Sequence, residues 1–140
     1  MGSFLILIAE DDADDRFLLK SAFEENGFKD TLHFVENGVE LLDFLNESLA
    51  ARSVRLPHFI MLDLNMPKKD GREVLKEIKT NPDFRKIPVI IFSTTNSKQE
   101  MSRCFELGAN SYITKPNSYE QLIHTIAALR QYWTEINNYP

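Results

Sequence analysis

Five short apolar runs, each followed by a stretch with helical spacing, constrain this chain more than any other feature. The runs cover residues 4–9, 31–35, 59–62, 89–92 and 111–114. They lack strict alternation, so they read as strands buried on both faces. Between them apolar residues recur with a helical period. The stripes are Phe17, Leu18, Ala22 and Phe23; then Val39, Leu42 and Leu45; then Val74, Leu75 and Ile78. Met101, Cys104 and Phe105 follow, and Leu122, Ile126, Leu129, Trp133 and Ile136 run down the last and longest helix. Gly27, Asn37-Gly38, Asn81-Pro82 and Gly108 punctuate these segments, and Asn117 and Ser118 suit the start of the fifth helix. Five alternations of strand and helix predict an α/β fold, a doubly wound parallel sheet with helices on both faces.

A length of 140 residues fits one domain over 1–140. The sequence predicts an extended C-terminal helix and tail at about 130–140 and no output domain. A formal net charge of −5 argues against broad contact with nucleic-acid phosphates or anionic lipid. The single cysteine, Cys104, excludes an intramolecular disulfide and a Cys-rich zinc site; on the apolar side of its helix it reads as a small buried hydrophobe. No segment reaches the roughly 20 apolar residues of a membrane span. The first apolar run leads straight into acids, unlike a signal peptide, and Ile6 stands where a myristoylation motif needs Ser or Thr. The expectation is a soluble cytoplasmic protein. His33, His58 and His124 share no metal spacing and read as structural or surface residues.

The polar residues at the strand ends carry the chemistry. Glu10 and Asp11 follow the first strand, Asp63 the third, Ser93 the fourth, and Lys115 the fifth. In a parallel sheet these ends share one edge, where ligands bind at the point of strand-order reversal. A strand order 2-1-3-4-5 would bring Glu10, Asp11 and Asp63 into one pocket. Three packed carboxylates repel, and a hard dication with oxygen ligands such as Mg²⁺ relieves that repulsion. A carboxylate can also act as a nucleophile and form an acyl phosphate. A metal, the Lys115 ammonium and the Ser93 hydroxyl could then share the phosphoryl oxygens. A cis bond at Pro116 would help to aim Lys115 inward. Asp12 reads as the cap of the first helix, and Asp14 and Asp15 as acids favouring its positive end.

These pieces resemble the receiver domains of two-component response regulators over nearly the whole chain. The matching segments are Glu10-Asp11-Asp12, Leu62-Asp63-Leu64-Asn65-Met66-Pro67, Asp70-Gly71, Ser93-Thr94 and Tyr112-Ile113-Thr114-Lys115-Pro116. The resemblance implies the flavodoxin-like (βα)5 receiver fold with strand order 2-1-3-4-5. It implies Asp63 as phosphoacceptor, Asp11 as a direct Mg²⁺ ligand with Glu10 acting through water, and the backbone carbonyl of Asn65 as a further ligand; Mn²⁺ would substitute. It implies that Ser93 and Lys115 bind the phosphoryl group and that Tyr112 is an aromatic switch coupled to Ser93. Asn65 and Thr95 fall where the family tunes acyl-phosphate lifetime. Ser93 replaces the commoner Thr, Glu10 replaces Asp, and Thr94 is larger than the usual Ala.

The resemblance also implies a histidine kinase as donor and an unidentified downstream protein as target, with no nucleic acid or membrane partner. The connection 46–56, the stretch Ile78-Lys79-Thr80-Asn81-Pro82 and the tail resemble small regulators that partner phytochrome-type kinases. Trp133 would either cover the core or serve a homodimer contact. Three rivals remain at this point. A haloacid-dehalogenase-type phosphatase would need a second Asp where Asn65 stands. A flavodoxin-like cofactor carrier would need a Gly-rich phosphate loop after the first strand. A receiver-like module could also bind without phosphorylation.

Overall fold

The computed structural model describes residues 4–51 and 55–136, with side chains as far as residue 134. The chain runs β1 (Leu5–Ala9), α1 (Ala13–Glu25), β2 (Thr31–Val35), α2 (Gly38–Ala51), β3 (Phe59–Leu62) and α3 (Gly71–Thr80). It continues with β4 (Val89–Ser93), α4 (Lys98–Glu106), β5 (Ser111–Thr114) and α5 (Tyr119–Gln131), then a π-helical turn, Tyr132–Ile136. The strands pair in parallel in the order β2-β1-β3-β4-β5. Strand order reverses between β1 and β3, so the ends of those two strands flank a crevice.

Side chains alternate across a strand, and the three inner strands therefore feed two cores. Leu7, Ala9, Ile60, Leu62, Val89 and Ile91 face one side and pack with α2, α3 and α4. Ile6, Ile8, Phe59, Met61, Ile90 and Phe92 face the other and pack with α1 and α5. Burial on both faces holds for these inner strands but not for the edges. In β2, Thr31 and His33 are exposed while Leu32 and Phe34 are half-buried; no residue of β5 is fully buried. Each edge strand has one neighbour, and its outer side is covered only in part.

Local chemistry starts the helices, at Asp12 and Ser118 as the sequence suggests. Asp12 accepts from the Asp14 and Asp15 amides, Asp70 from Arg72, Ser97 from Glu100, and Ser118 from Gln121. Asn37 accepts from the Glu40 amide while Glu40 reaches back to the Glu36 amide, a reciprocal cap for α2. After α1, Gly27 takes φ +75°, the left-handed turn that a side chain would strain.

The expected helical stripes need correcting in three places. On α1 the buried residues are Leu19, Ala22 and Phe23, and Phe17 is 69% exposed. On α2 Leu41 and Leu45 are buried, whereas Val39 is exposed. On α4 Cys104 is buried but Phe105 is exposed. A helix face accepts residues three and four apart, and Leu19 lies three and four residues before Ala22 and Phe23, whereas Phe17 has neither spacing to them.

Trp133 is buried and packs with Leu122, Ile126 and Leu129 in the α1–α5 core. It covers the core, which is one of the two readings the sequence left open. The segment 138–140 of the tail lies outside the described residues, as does 52–54 within the connection 46–56. That connection is helical up to Ala51. Among the described residues no helix is long and apolar enough to cross a membrane.

Candidate functional site

Hydrogen bonding continues one rung beyond the strands, and that rung positions the polar residues. The Glu10 amide donates to the Val35 carbonyl at 3.0 Å, the Asp63 amide to Ala9 at 3.2 Å, and the Lys115 amide to Ser93 at 2.8 Å. Glu10, Asp63 and Lys115 are thus pinned to one edge by the sheet itself. Gly71 lets α3 approach from below. A Cβ there would lie 2.5 Å from the Asp63 carbonyl oxygen and 2.7 Å from the Leu64 Cα.

The Lys115 ammonium gathers three carboxylates. Nζ donates to Glu10 Oε1 at 2.6 Å, to Asp63 Oδ2 at 3.1 Å and to Asp15 Oδ2 at 3.2 Å. The second Glu10 oxygen accepts from the Asp12 amide, and Asp63 Oδ1 accepts from the Asn65 amide. One carboxylate oxygen from each of Glu10, Asp11 and Asp63 lies within 4.8 Å of the other two, with Glu10 and Asp63 buried and Asp11 exposed.

The electrostatics reflect this crowding. Burial, reinforced by the charge of Asp63 and opposed by the Lys115 hydrogen bond, pushes the Glu10 carboxyl up to about 7. Burial works against the Lys115 charge, but the hydrogen bond and charge of Glu10, followed by those of Asp63, outweigh it and raise its pKa. The cluster carries more carboxylates than the single ammonium can neutralise. Its donor set is all oxygen, without His or Cys, which fits a hard dication and not zinc.

Ser93 is fully buried at the end of β4, and its Oγ accepts from the Thr95 amide at 3.2 Å. The Tyr112 hydroxyl donates to the Thr95 carbonyl at 2.6 Å, so both side chains hold the same loop. Burial raises the Tyr112 pKa, the nearby Cys104 thiol adds to this, and a hydrogen bond with Ser93 opposes it. Thr94 is exposed beside them. The candidate cis bond at Pro116 is not found: no peptide bond among the described residues is cis. Lys115 reaches the carboxylates from an ordinary trans backbone, held by the hydrogen bond that its amide donates to the Ser93 carbonyl.

Residues 6–127 match the response regulator receiver domain. The chain belongs to this family. The receiver is 37% identical over 138 residues to the Probable methanogenesis regulatory protein FilR2 of Methanothrix harundinacea, covering 98% of this chain and 88% of that one. It is 33% identical over 136 residues to Response regulator Rcp1 of Synechocystis sp., covering 97% and 92% of the two chains. The crystal structure of the phosphorylated cyanobacterial phytochrome response regulator RcpA superposes with a TM-score of 0.90 at 32% identity, over 99% of each chain. The Mn²⁺-bound form of Rcp1 superposes with a TM-score of 0.85 over 98% of this chain and 99% of that one. The receiver is therefore a two-component signalling protein of a family phosphorylated on aspartate.

Most of the receiver's expected site residues are together: Glu10, Asp11, Asp63 and Lys115 in one cluster, Ser93 and Tyr112 along the same edge. Sequence reasoning missed two contributors on α1. Asp15, read as a helix-end acid, turns its carboxylate onto Lys115. Arg16 donates from Nη1 to the Glu10 carbonyl at 3.0 Å and steadies the acidic turn. Asp15 lies three residues past the Asp12 cap, in the first turn of α1, where an acid is accounted for without any contact, so its residue type gave no signal of this role.

Proposed function

We propose that Asp63 of this receiver accepts a phosphoryl group from a histidine kinase, with Mg²⁺ as the metal, and that the phosphorylated form signals by binding another protein. The observation that carries this reading is the grip of Lys115 on Asp63 and Glu10 inside the carboxylate cluster. Asp11, Asp63 and the Asn65 backbone carbonyl would ligate the metal, with Glu10 acting through water. When bound, the metal supplies positive charge to the phosphoryl oxygens and relieves carboxylate repulsion; Mn²⁺ would serve in its place.

The protein's own groups do the rest. An Asp63 oxygen attacks phosphorus in line, the P–N bond to the donor imidazole breaks, and the imidazole leaves with the bonding pair. Lys115 and the Ser93 hydroxyl share the charge of the transferred group. Movement of Ser93 toward that group withdraws its Oγ from the Thr95 amide, and Tyr112, tied to the same loop, turns inward. Asn65 has no carboxyl with which to serve as acid or base, so the chemistry stays with the protein's own phosphorylation and dephosphorylation.

The donor we infer is a phytochrome-type histidine kinase. The support is the near end-to-end likeness to RcpA and Rcp1, the first of which is a cyanobacterial phytochrome response regulator. Intact-mass spectrometry after incubation with acetyl phosphate tests the acceptor. One phosphoryl adduct that needs Mg²⁺ and vanishes with chelator or in Asp63→Asn is the expected result. An adduct persisting in that variant would move the site elsewhere. Faster transfer from an autophosphorylated phytochrome-type kinase than from a chemotaxis-type kinase tests the donor.

A further inference from the structure

Among the helices, α4 has the weakest hold on the core. Cys104 is its one fully buried residue, whereas α3 buries Gly71, Val74, Leu75 and Ile78. Packing of an apolar face is what fixes most helices, so α4 depends more on side-chain bonds near its start. Two of these act on Thr95. The Ser93 hydroxyl accepts from its amide, and the Tyr112 hydroxyl donates to its carbonyl. A third crosses from α3. The Arg72 guanidinium donates from Nε to Glu100 Oε1, and from Nη1 to the two Asp70 oxygens at 2.9 and 3.1 Å.

The two ends of this bridge belong to different bodies. Asp70 caps α3 by accepting from the Arg72 amide, and Gly71 beside it lies close against the Asp63 carbonyl. Arg72 is therefore fixed relative to the carboxylates. The Glu100 amide donates to Ser97 Oγ and the Met101 amide to the Ser97 carbonyl, so Glu100 travels with the loop that ends at Ser97. The Arg72 and Glu100 side chains are 26% and 19% exposed, which shields the pair in part from solvent. It lies beside the switch residue, near enough for both charges to act on the Tyr112 hydroxyl in opposite senses.

We propose that Arg72 and Glu100 are positioning residues that tie the start of α4 to α3 in the unphosphorylated protein, and that the tie is given up when the 94–97 loop follows Ser93. The inference rests on the reading above, in which Ser93 leaves Thr95 for the phosphoryl group and Tyr112 turns inward. Those movements release both holds on Thr95 and leave the third in place, so the Arg72–Glu100 pair opposes the displacement. A contact present in only one of two states shifts the equilibrium toward the other when it is removed.

Two measurements test the tie. Hydrogen exchange in the unliganded protein reads it directly. Glu100→Gln should exchange faster than the natural protein over residues 101–104, with no change in α3 over 74–78. Calorimetric titration with beryllofluoride, which takes the phosphoryl position on an aspartate, reads its bearing on the switch. At saturating Mg²⁺, Glu100→Gln should bind about two- to fivefold tighter, the range for losing one ion pair. Arg72→Gln should do the same, and the double variant should gain no more than either single one. Glu77→Gln, which breaks the Lys69 pair on α3, should change neither readout. Unchanged exchange in Glu100→Gln overturns the tie, and unchanged or weaker beryllofluoride binding overturns its part in the switch. Additive gains in the double variant also overturn it, since they assign the effect to two separate charges. Failure of the natural protein to bind beryllofluoride would instead strike the Asp63 reading, and exchange alone would then decide the tie.

Discussion

Two side chains, Asp30 and the half-buried His58, fasten the start of β1 at the end of the molecule away from the carboxylates. Asp30 accepts from the Phe4 amide and from the Arg130 guanidinium, which stacks 4.5 Å from the Phe28 ring centroid. His58 accepts from the Leu5 amide through Nδ1 at 3.1 Å. That bond needs a bare Nδ1. Burial lowers the His58 pKa from its ordinary value, the charge of Arg55 adds to the effect, and the charge of Asp30 opposes it. A base with a depressed folded-state pKa binds more protons when unfolded, so folding stability falls as pH drops through about 6.5 toward the folded value. Glu10, raised to about 7 in the fold, binds more protons folded than unfolded over the same range and works the other way, so the His58 contribution is read against His58→Gln, whose carbonyl can accept from Leu5 without titrating. The urea midpoint of the natural protein relative to that of His58→Gln should fall between neutral pH and pH about 5.5. Parallel pH profiles for the two proteins would remove His58 from the account. None of this was legible in the sequence, because a histidine reveals its partner only after β1 and the approach to β3 are aligned.

At the level of the element, the approach of α3 to β3 shows how a motif residue works. Gly71 stands where a Cβ would press on the Asp63 carbonyl and the Leu64 backbone, neither of which can rotate away. Gly71→Ala must push the start of α3 off the strand end, at a cost of about 1–3 kcal/mol. It should also slow phosphorylation by acetyl phosphate, since the displaced backbone carries Asp63. Gly27→Ala is the control. It meets open space and pays only for its positive φ, about 1 kcal/mol, far from the carboxylates. Equal phosphorylation rates in the two variants would separate Gly71 from the site. The elements themselves were readable because their boundaries are written in local chemistry: Asp12 and Ser118 cap as their residue types suggest. The buried faces were less readable. Phe17 is as apolar as Phe23, and only the position of the sheet decides which of them is covered. The site was readable where separate strand ends agreed on one edge, and unreadable at Asp15, whose helix-end position already explains an acid without any contact.

For the molecule as a whole, one sheet divides two cores of different reach. The α2–α3–α4 side is closed within the chain from Leu7 to Ala109. The α1–α5 side depends on the far end of the chain, where Trp133 seals the layer below Leu129 and Ile126. The turn beyond α5 is therefore part of the domain's own packing. Trp133→Ala should cost about 3–5 kcal/mol, in the range for deleting a large buried aromatic. Chemical denaturation followed by circular dichroism would measure the loss. If Trp133 serves only the core, the loss should be the same at low and high protein concentration, because folding and association are then separate. A midpoint that rises with concentration in the natural protein, and not in the variant, would place the indole between two copies instead. The carboxylate edge supplies a further discriminant. The inner strands span the distance between tail and site, and their register is fixed by rungs that end at Glu10 and Asp63. A tail that acts only by closing the core should leave the phosphorylation rate unchanged under conditions where Trp133→Ala remains folded.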